Sequence, residues 1–196
     1  MKKAIVVSTI LESSNTWLPN FLGSFKTYPK YPLIILPQDT WELGRIDWVL
    51  KNTNYDEFFL VHDTVEIHKP DELFELLFDT HPNTTTHLFN YGGGYFVKYY
   101  RAILEQINFP ERAITKDESV EYEVALHHRY FEKETSLGLP HLQLFTNYTN
   151  RLVEKFGRLN LATGNEYFTK YMKIESEEWF RDTFPKEYKE LEQTNL

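Results

Sequence analysis

Phe58-Phe59-Leu60-Val61-His62-Asp63-Thr64-Val65-Glu66-Ile67 is an apolar run that ends in a polar triplet with an acid at its centre. A run without polar alternation is the pattern of a strand buried on both faces, as in a parallel sheet. Open α/β sheets bind ligands beyond the carboxyl ends of their strands. Asp63 therefore stands where a ligand, and with it a divalent metal, would be held. The plain alternative is that Asp63 caps a turn after a core strand.

Upstream of this run, strands and helices alternate. Ala4 to Ser8 is an apolar strand, and Thr9 to Asn15 a polar loop. Trp17, Leu18, Phe21, Leu22 and Phe25 recur at helical spacing, with Thr16 as a candidate N-cap. Tyr28-Pro29-Lys30-Tyr31-Pro32 breaks that helix, and Leu33 to Leu36 forms the second strand. Leu43, Ile46, Val49 and Leu50 mark a second helix, and Phe58 to Val61 the third strand. The order βαβαβ with right-handed crossovers predicts a mostly parallel, Rossmann-related sheet whose strand ends share one edge.

Downstream, Val65 to His68 reads as a short strand and Pro70-Asp71 opens a helix. His87 to Tyr91 is a strand that leads into Gly92-Gly93-Gly94. Tyr99, Ile103 and Ile107 fall on one face of a further helix, and Val120, Val124, His127 and Phe131 on another. Gly138 to Thr149 reads as strand and loop. The last thirty residues have the look of an appended helical tail. The expected division is a catalytic domain over 1–150 and an extension over 151–196 that packs on it.

Composition narrows the partners. The 196 residues suit a single domain and carry a net charge of −8, against a broadly basic nucleic-acid binder. There are no cysteines, so disulfides and thiolate metal sites are excluded. No apolar run reaches the roughly 18 residues of a membrane-crossing helix, and no signal peptide is expected. A cytoplasmic protein without membrane insertion is expected (in the host cytoplasm, if viral). The aromatic share of 16 % suits a packed core and also a site that stacks a sugar or base.

Four constellations carry candidate chemistry. Ser8, Thr9 and Ile10 open the loop after strand one, whose hydroxyls and N–H groups suit a base or phosphate. That loop lacks both G-x-G-x-x-G and G-x-x-x-x-G-K-[ST], which disfavours a dinucleotide or P-loop site. Asp39 falls just past strand two, where an acid accepts hydrogen bonds from a ribose or base edge. Nearby, Gly44 costs its helix about 1 kcal/mol relative to alanine, and Arg45 suits a phosphate. His62 and Asp63 form the third group; one carboxylate plus a diphosphate suffices for Mg²⁺ or Mn²⁺. The fourth group is Gly92-Gly93-Gly94 with Glu118 and Glu121, for close backbone approach and for a general base. Against it stand a turn at the glycines and a helix cap at Asp117-Glu118-Ser119. His127-His128 offers a metal at most one ligand.

The strand, the Ser/Thr loop, Asp39, the helix start Trp41-Glu42-Leu43-Gly44 and the stretch Tyr55 to Ile67 together resemble GT-A type glycosyltransferases over residues 4 to 131. The resemblance implies a GT-A-like fold and transfer of a sugar from a nucleotide-sugar, with UDP-sugar the expected donor, to an acceptor hydroxyl. It implies Ser8, Thr9, Ile10, Asp39, Gly44, Arg45, His62 and Asp63 on the donor. Asp63 would hold the diphosphate, directly or through Mn²⁺ or Mg²⁺. Asn90, Tyr91, Gly92, Gly93 and Gly94 would line the acceptor side, with Glu118 or Glu121 as base. Family triplets usually carry two acids, and His62-Asp63-Thr64 carries one. Metal-independent members hold the leaving diphosphate with basic residues, for which Arg45, Lys98, Arg101, Arg151 and Arg158 are candidates.

The acceptor stays open among a glycan, a small molecule and hydroxymethylated DNA bases, as in some bacteriophage enzymes. DNA would need a groove from Arg151, Lys155, Arg158, Lys170 and Lys173, interleaved with Phe156, Tyr167, Phe168 and Tyr171. Ordinary amphipathic packing gives the same pattern. Two other classes compete: a catalytically silent nucleotide- or partner-binding module, and a nucleotidyltransferase. The glycine-free Thr9 to Asn15 loop disfavours the latter.

Overall fold

The computed structural model describes residues 1–9, 14–25, 30–37, 42–87, 96–107, 115, 118–119, 121–122, 135–136, 143–144, 160–164, 166–173, 181–182, 185 and 189. Strands β1 (Lys3–Thr9) and β3 (Glu57–His62) run parallel at its centre, Ile5 opposite Phe59 and Val7 opposite Val61. Side chains alternate across a strand. Ile5, Val7, Phe59 and Val61 accordingly enter one core with Phe21 of α1 (Ser14–Gly23) and with Leu73 and Phe74 of α3 (Pro70–Phe74). Leu77 and Phe78, on the π-helical turn Glu75–Thr80 that continues α3, complete that side. Ala4, Val6, Phe58 and Leu60 enter a second core against Leu43, Ile46 and Val49 of α2 (Glu42–Asn52). Two helical layers on one sheet explain why these strands are apolar without alternation from Ala4 to Val7 and from Phe58 to Val61.

β2 (Leu33–Pro37) lies parallel to β1 on the outer side. Beyond β3 the six-stranded sheet continues as β6 (Phe96–Tyr100), β5 (Thr86–His87) and β7 (Thr135–Ser136). β6 alone runs against the others, antiparallel to β3 and to β5, while β5 and β7 pair in parallel. The architecture is thus mixed α/β with a mostly parallel sheet and flanking helices. No helix among the described residues is long and apolar enough to cross a membrane.

Three expectations need correction. Tyr99 belongs to strand β6 rather than to a helix; Val97 and Tyr99 point into the second core, and the helix α4 begins only at Arg101 (Arg101–Leu104). Helix α1 starts at Ser14, inside the stretch expected to be loop and ahead of the candidate cap Thr16. The last thirty residues are not wholly helical, although residues 181, 182, 185 and 189 are. β9 (Asn160–Gly164) and β10 (Phe168–Lys173) form a hairpin that joins β4 (Val65–Ile67) and β8 (Gln143–Leu144) in an antiparallel four-stranded sheet, ordered β4-β10-β9-β8. Phe168, fully buried in the first core, fixes the hairpin's position.

Arg101 ties the far edge of the sheet together. Its guanidinium donates to the carbonyls of Val49, Leu50, Thr53 and Tyr55 at 2.6–3.2 Å, among them that of Leu50 in the last turn of α2. Arg101→Ala is expected to lower stability by about 2–3 kcal/mol, because several part-buried acceptors lose a charged donor at once. Urea unfolding followed by tryptophan fluorescence measures it. A loss below about 1 kcal/mol would mean water replaces the guanidinium without cost.

Candidate functional site

β1 and β3 end together, Ser8 opposite His62, and the chain then turns through Asp63-Thr64 into β4 of the second sheet. The junction is held by backbone and side chain. The Asp63 N–H donates to the Ser8 carbonyl at 3.0 Å, and the Thr9 hydroxyl donates to Asp63 Oδ2 at 2.6 Å. Ser8, Thr9 and Asp63 are all buried.

Strand alternation turns His62 to the α2 side of the sheet. There its Nε2 meets Glu42 Oε1 at 2.6 Å, at the first residue of α2. Arg45, one helical turn on, lies 3.7 Å from the same carboxylate and is 4 % exposed. Lys170 arrives from the other sheet. It follows Phe168 on the same face of β10 and sits opposite Val65 of β4. Its ammonium donates to the Thr64 hydroxyl and lies 3.4 Å from His62 Nδ1. Lys170 is 9 % exposed, so a long cationic side chain is sunk at the junction.

Burial and neighbouring charge compete at every group. Burial pushes Glu42 up, but the hydrogen bond and charge of His62, its own backbone N–H and Arg45 outweigh it and bring Glu42 to about 2. Burial, then the Lys170 charge, pull His62 below its ordinary value against Glu42. The neutral ring satisfies both neighbours in one tautomer, with Nε2–H donating to Glu42 and Nδ1 accepting from Lys170. Burial raises Asp63, against the Thr9 hydroxyl, Lys170 and Arg45. Burial lowers Lys170 to about 8, with Asp63 and Glu42 holding it up, and lowers Arg45 against the same two carboxylates. Two cations and two carboxylates, from α2, β10 and the turn after β3, thus meet at one strand edge.

A divalent cation does not fit this donor set. Asp63 would supply its carboxylate, yet one oxygen already accepts from Thr9, and both Lys170 and Arg45 act on Asp63 as positive neighbours. Among the described residues no three His, Asp or Glu side chains converge as a metal site.

Of the other expected residues, Gly44 lies half-buried in the first turn of α2. Ile10, Asp39, Asn90, Tyr91, Gly92, Gly93 and Gly94 lie outside the described residues, as do His127-His128, Arg151 and Arg158. Glu118 is exposed and caps a helix. Its Oε2 accepts from the Thr115 N–H at 3.0 Å and hydroxyl at 3.1 Å, while Thr115 Oγ1 accepts the Glu118 N–H at 3.3 Å, a capping box. Glu121 is exposed. Lys98 and Arg101 sit at the opposite, amino-terminal end of β3. Lys98 pairs there with Glu57, and the Arg101 N–H donates to the Asp56 carbonyl. Neither belongs to the Asp63 cluster, because β6 runs antiparallel and carries them away from it.

Lys170 and Phe168, candidates for a nucleic-acid groove, both point inward, which favours the packing reading at these two positions. The cluster residue that the sequence does not single out as a site residue is Glu42, while for Lys170 the packing alternative is the one the structure favours. The Phe168-x-Lys170-x-Met172 alternation carried a signal for Lys170, namely a lysine on the apolar face of a strand. A separate cleft of about 340 Å³, lined by Lys30, Tyr31, Asp71, Phe74, Glu75 and Asp79, lies by the amino end of β1, where Lys3 donates to Asp79 at 2.6 Å. It is remote from the strand-end cluster. Comparison with models of known protein families, with curated proteins and with solved structures finds no match.

Proposed function

We propose that this chain is a GT-A type glycosyltransferase that moves a sugar from a nucleotide-sugar, UDP-sugar foremost, to an acceptor hydroxyl. The observation that carries this reading is the meeting of Thr9 and Asp63 at adjacent carboxyl ends of β1 and β3, with Arg45 and Lys170 beside them. Ligands of open α/β sheets bind at that edge. In the reaction the bond from the anomeric carbon to the diphosphate oxygen breaks, and its electron pair leaves with the nucleoside diphosphate. The acceptor oxygen bonds the anomeric carbon and yields its proton to a base. Glu121 is the better of the two expected bases, since the Glu118 carboxylate already takes two hydrogen bonds in its cap.

The test is a thermal-shift screen with UDP, GDP, CDP and their sugars, followed by a nucleotide-release assay with the ligand that binds. A native-state ligand raises the melting temperature according to its concentration over Kd. Asp63→Ala is expected to lower release by roughly 100-fold or more, the scale for losing a group that organises transition-state charge. A folded sample that binds no nucleotide would end this reading. The commitment of Glu118 to a cap favours one rival, a nucleotide-binding module without catalysis. It predicts binding with no release.

A further inference from the structure

We infer that the site takes a nucleoside diphosphate without a divalent cation, with the Lys170 ammonium and the Arg45 guanidinium holding the phosphates. The inference rests on the transferase reading and adds to it the chemistry that holds the leaving group. Three observations carry it. Lys170 reaches Thr64, the residue next to Asp63, and both its charge and that of Arg45 act on the single Asp63 carboxylate, so an approaching Mn²⁺ or Mg²⁺ meets like charge there. The cations come from separate elements, α2 and β10, and the fold brings both to the edge where β1 and β3 end, each beside a carboxylate that a phosphate can replace as counter-charge. Lys170 is also positioned: Phe168 anchors its strand in the core, and Thr64 Oγ1 and His62 Nδ1 orient the ammonium.

Glu42 completes the arrangement by tying His62 on the far side of the ring and lying next to Arg45. An incoming diphosphate competes with Asp63 and Glu42 for the two cations. Arginine offers it a planar fork and lysine a point charge.

Binding of UDP, GDP and CDP to the full chain, by calorimetry and thermal shift, is measured in EDTA and in Mn²⁺ or Mg²⁺. The expected result is equal affinity in both. Lys170→Met is expected to weaken binding roughly 30-fold or more while Lys170→Arg retains most of it, as a lost charge-assisted contact requires. A purely structural role for Lys170 would not show that rescue in Kd. Circular dichroism checks each variant's fold. Should Lys170→Met not fold, Arg45→Gln and the wild-type EDTA comparison still decide. Binding that needs the metal would overturn this inference and leave the transferase reading standing. So would metal-independent binding that survives both Lys170→Met and Arg45→Gln. No binding under any condition would overturn both readings together.

Discussion

Lys98→Met is expected to cost about 3–5 kcal/mol of folding stability, the scale for breaking a buried ion pair from one side. Lys98 and Glu57 are both fully buried, and Nζ lies 3.0 Å from Glu57 Oε1. Burial lowers Lys98, and Glu57 opposes that shift. The same ammonium donates to the His81 carbonyl, and the same Glu57 oxygen accepts the Asn83 N–H at 2.7 Å. Methionine leaves Glu57 charged with one backbone donor. Glu57 Oε2 already has no hydrogen-bond partner among the described residues, so it cannot compensate.

A second substitution separates charge from packing. Glu57→Gln added to Lys98→Met removes the stranded charge and keeps an acceptor for Asn83. It is expected to recover about half of the loss, as a coupling between the two positions. Urea unfolding measures both variants. A single variant within about 1 kcal/mol of wild type would show that water reaches the carboxylate. The pair stands at the start of β3, and Asp63 follows its end, roughly 16 Å or more away along the strand. The folded fraction of Lys98→Met should therefore bind nucleotide with unchanged affinity.

The parts of the fold legible in the sequence are those set by local pattern. β1 and β3 announce themselves because burial on both faces excludes polar residues from their middles, β2 by its apolar Leu33–Leu36 run, and α2 because Leu43, Ile46, Val49 and Leu50 repeat at helical spacing. β6 departs from the helix its sequence suggests for a physical reason. Tyr99, Ile103 and Ile107 stand four apart and mimic a helix face, yet Val97 and Tyr99 alternate as a strand and only the residues from Arg101 on turn helical. Asp63 and Thr9 are legible as members of the candidate site because Thr9 ends one apolar strand and Asp63 follows another. Glu42 is not, because its role is fixed by His62, twenty residues away on another element. Lys170 reaches Thr64 across 106 residues through the β4–β10 pairing, and no local pattern encodes that register.

Nucleotide affinity of the wild type is expected to fall, and folding stability to rise, as pH climbs past about 8. Both follow from one group. Lys170 titrates at about 8 in the folded chain against 10.5 ordinarily, because burial disfavours its charge. Between those values the unfolded chain holds a proton that the folded chain has released. Stability therefore increases with pH across that window, relieving a penalty of about 3 kcal/mol. Binding runs the other way, since the diphosphate needs the ammonium and a neutral amine offers it no charge. Of the groups facing Lys170, Glu42 is already ionised, His62 is lowered and so neutral, Asp63 is raised by burial, Arg45 is lowered in the same direction as Lys170, and Thr64 does not titrate. Lys98, also lowered, adds to the stability trend with the same sign, so the Lys170→Arg variant is the comparison that isolates Lys170. Arginine does not deprotonate here. Its affinity should stay level from pH 7 to about 9.5, apart from any titration of the base itself, while the wild type loses up to about tenfold per unit above the pKa that Lys170 has in the complex. Equal slopes for the two proteins would remove Lys170 from the phosphate contact.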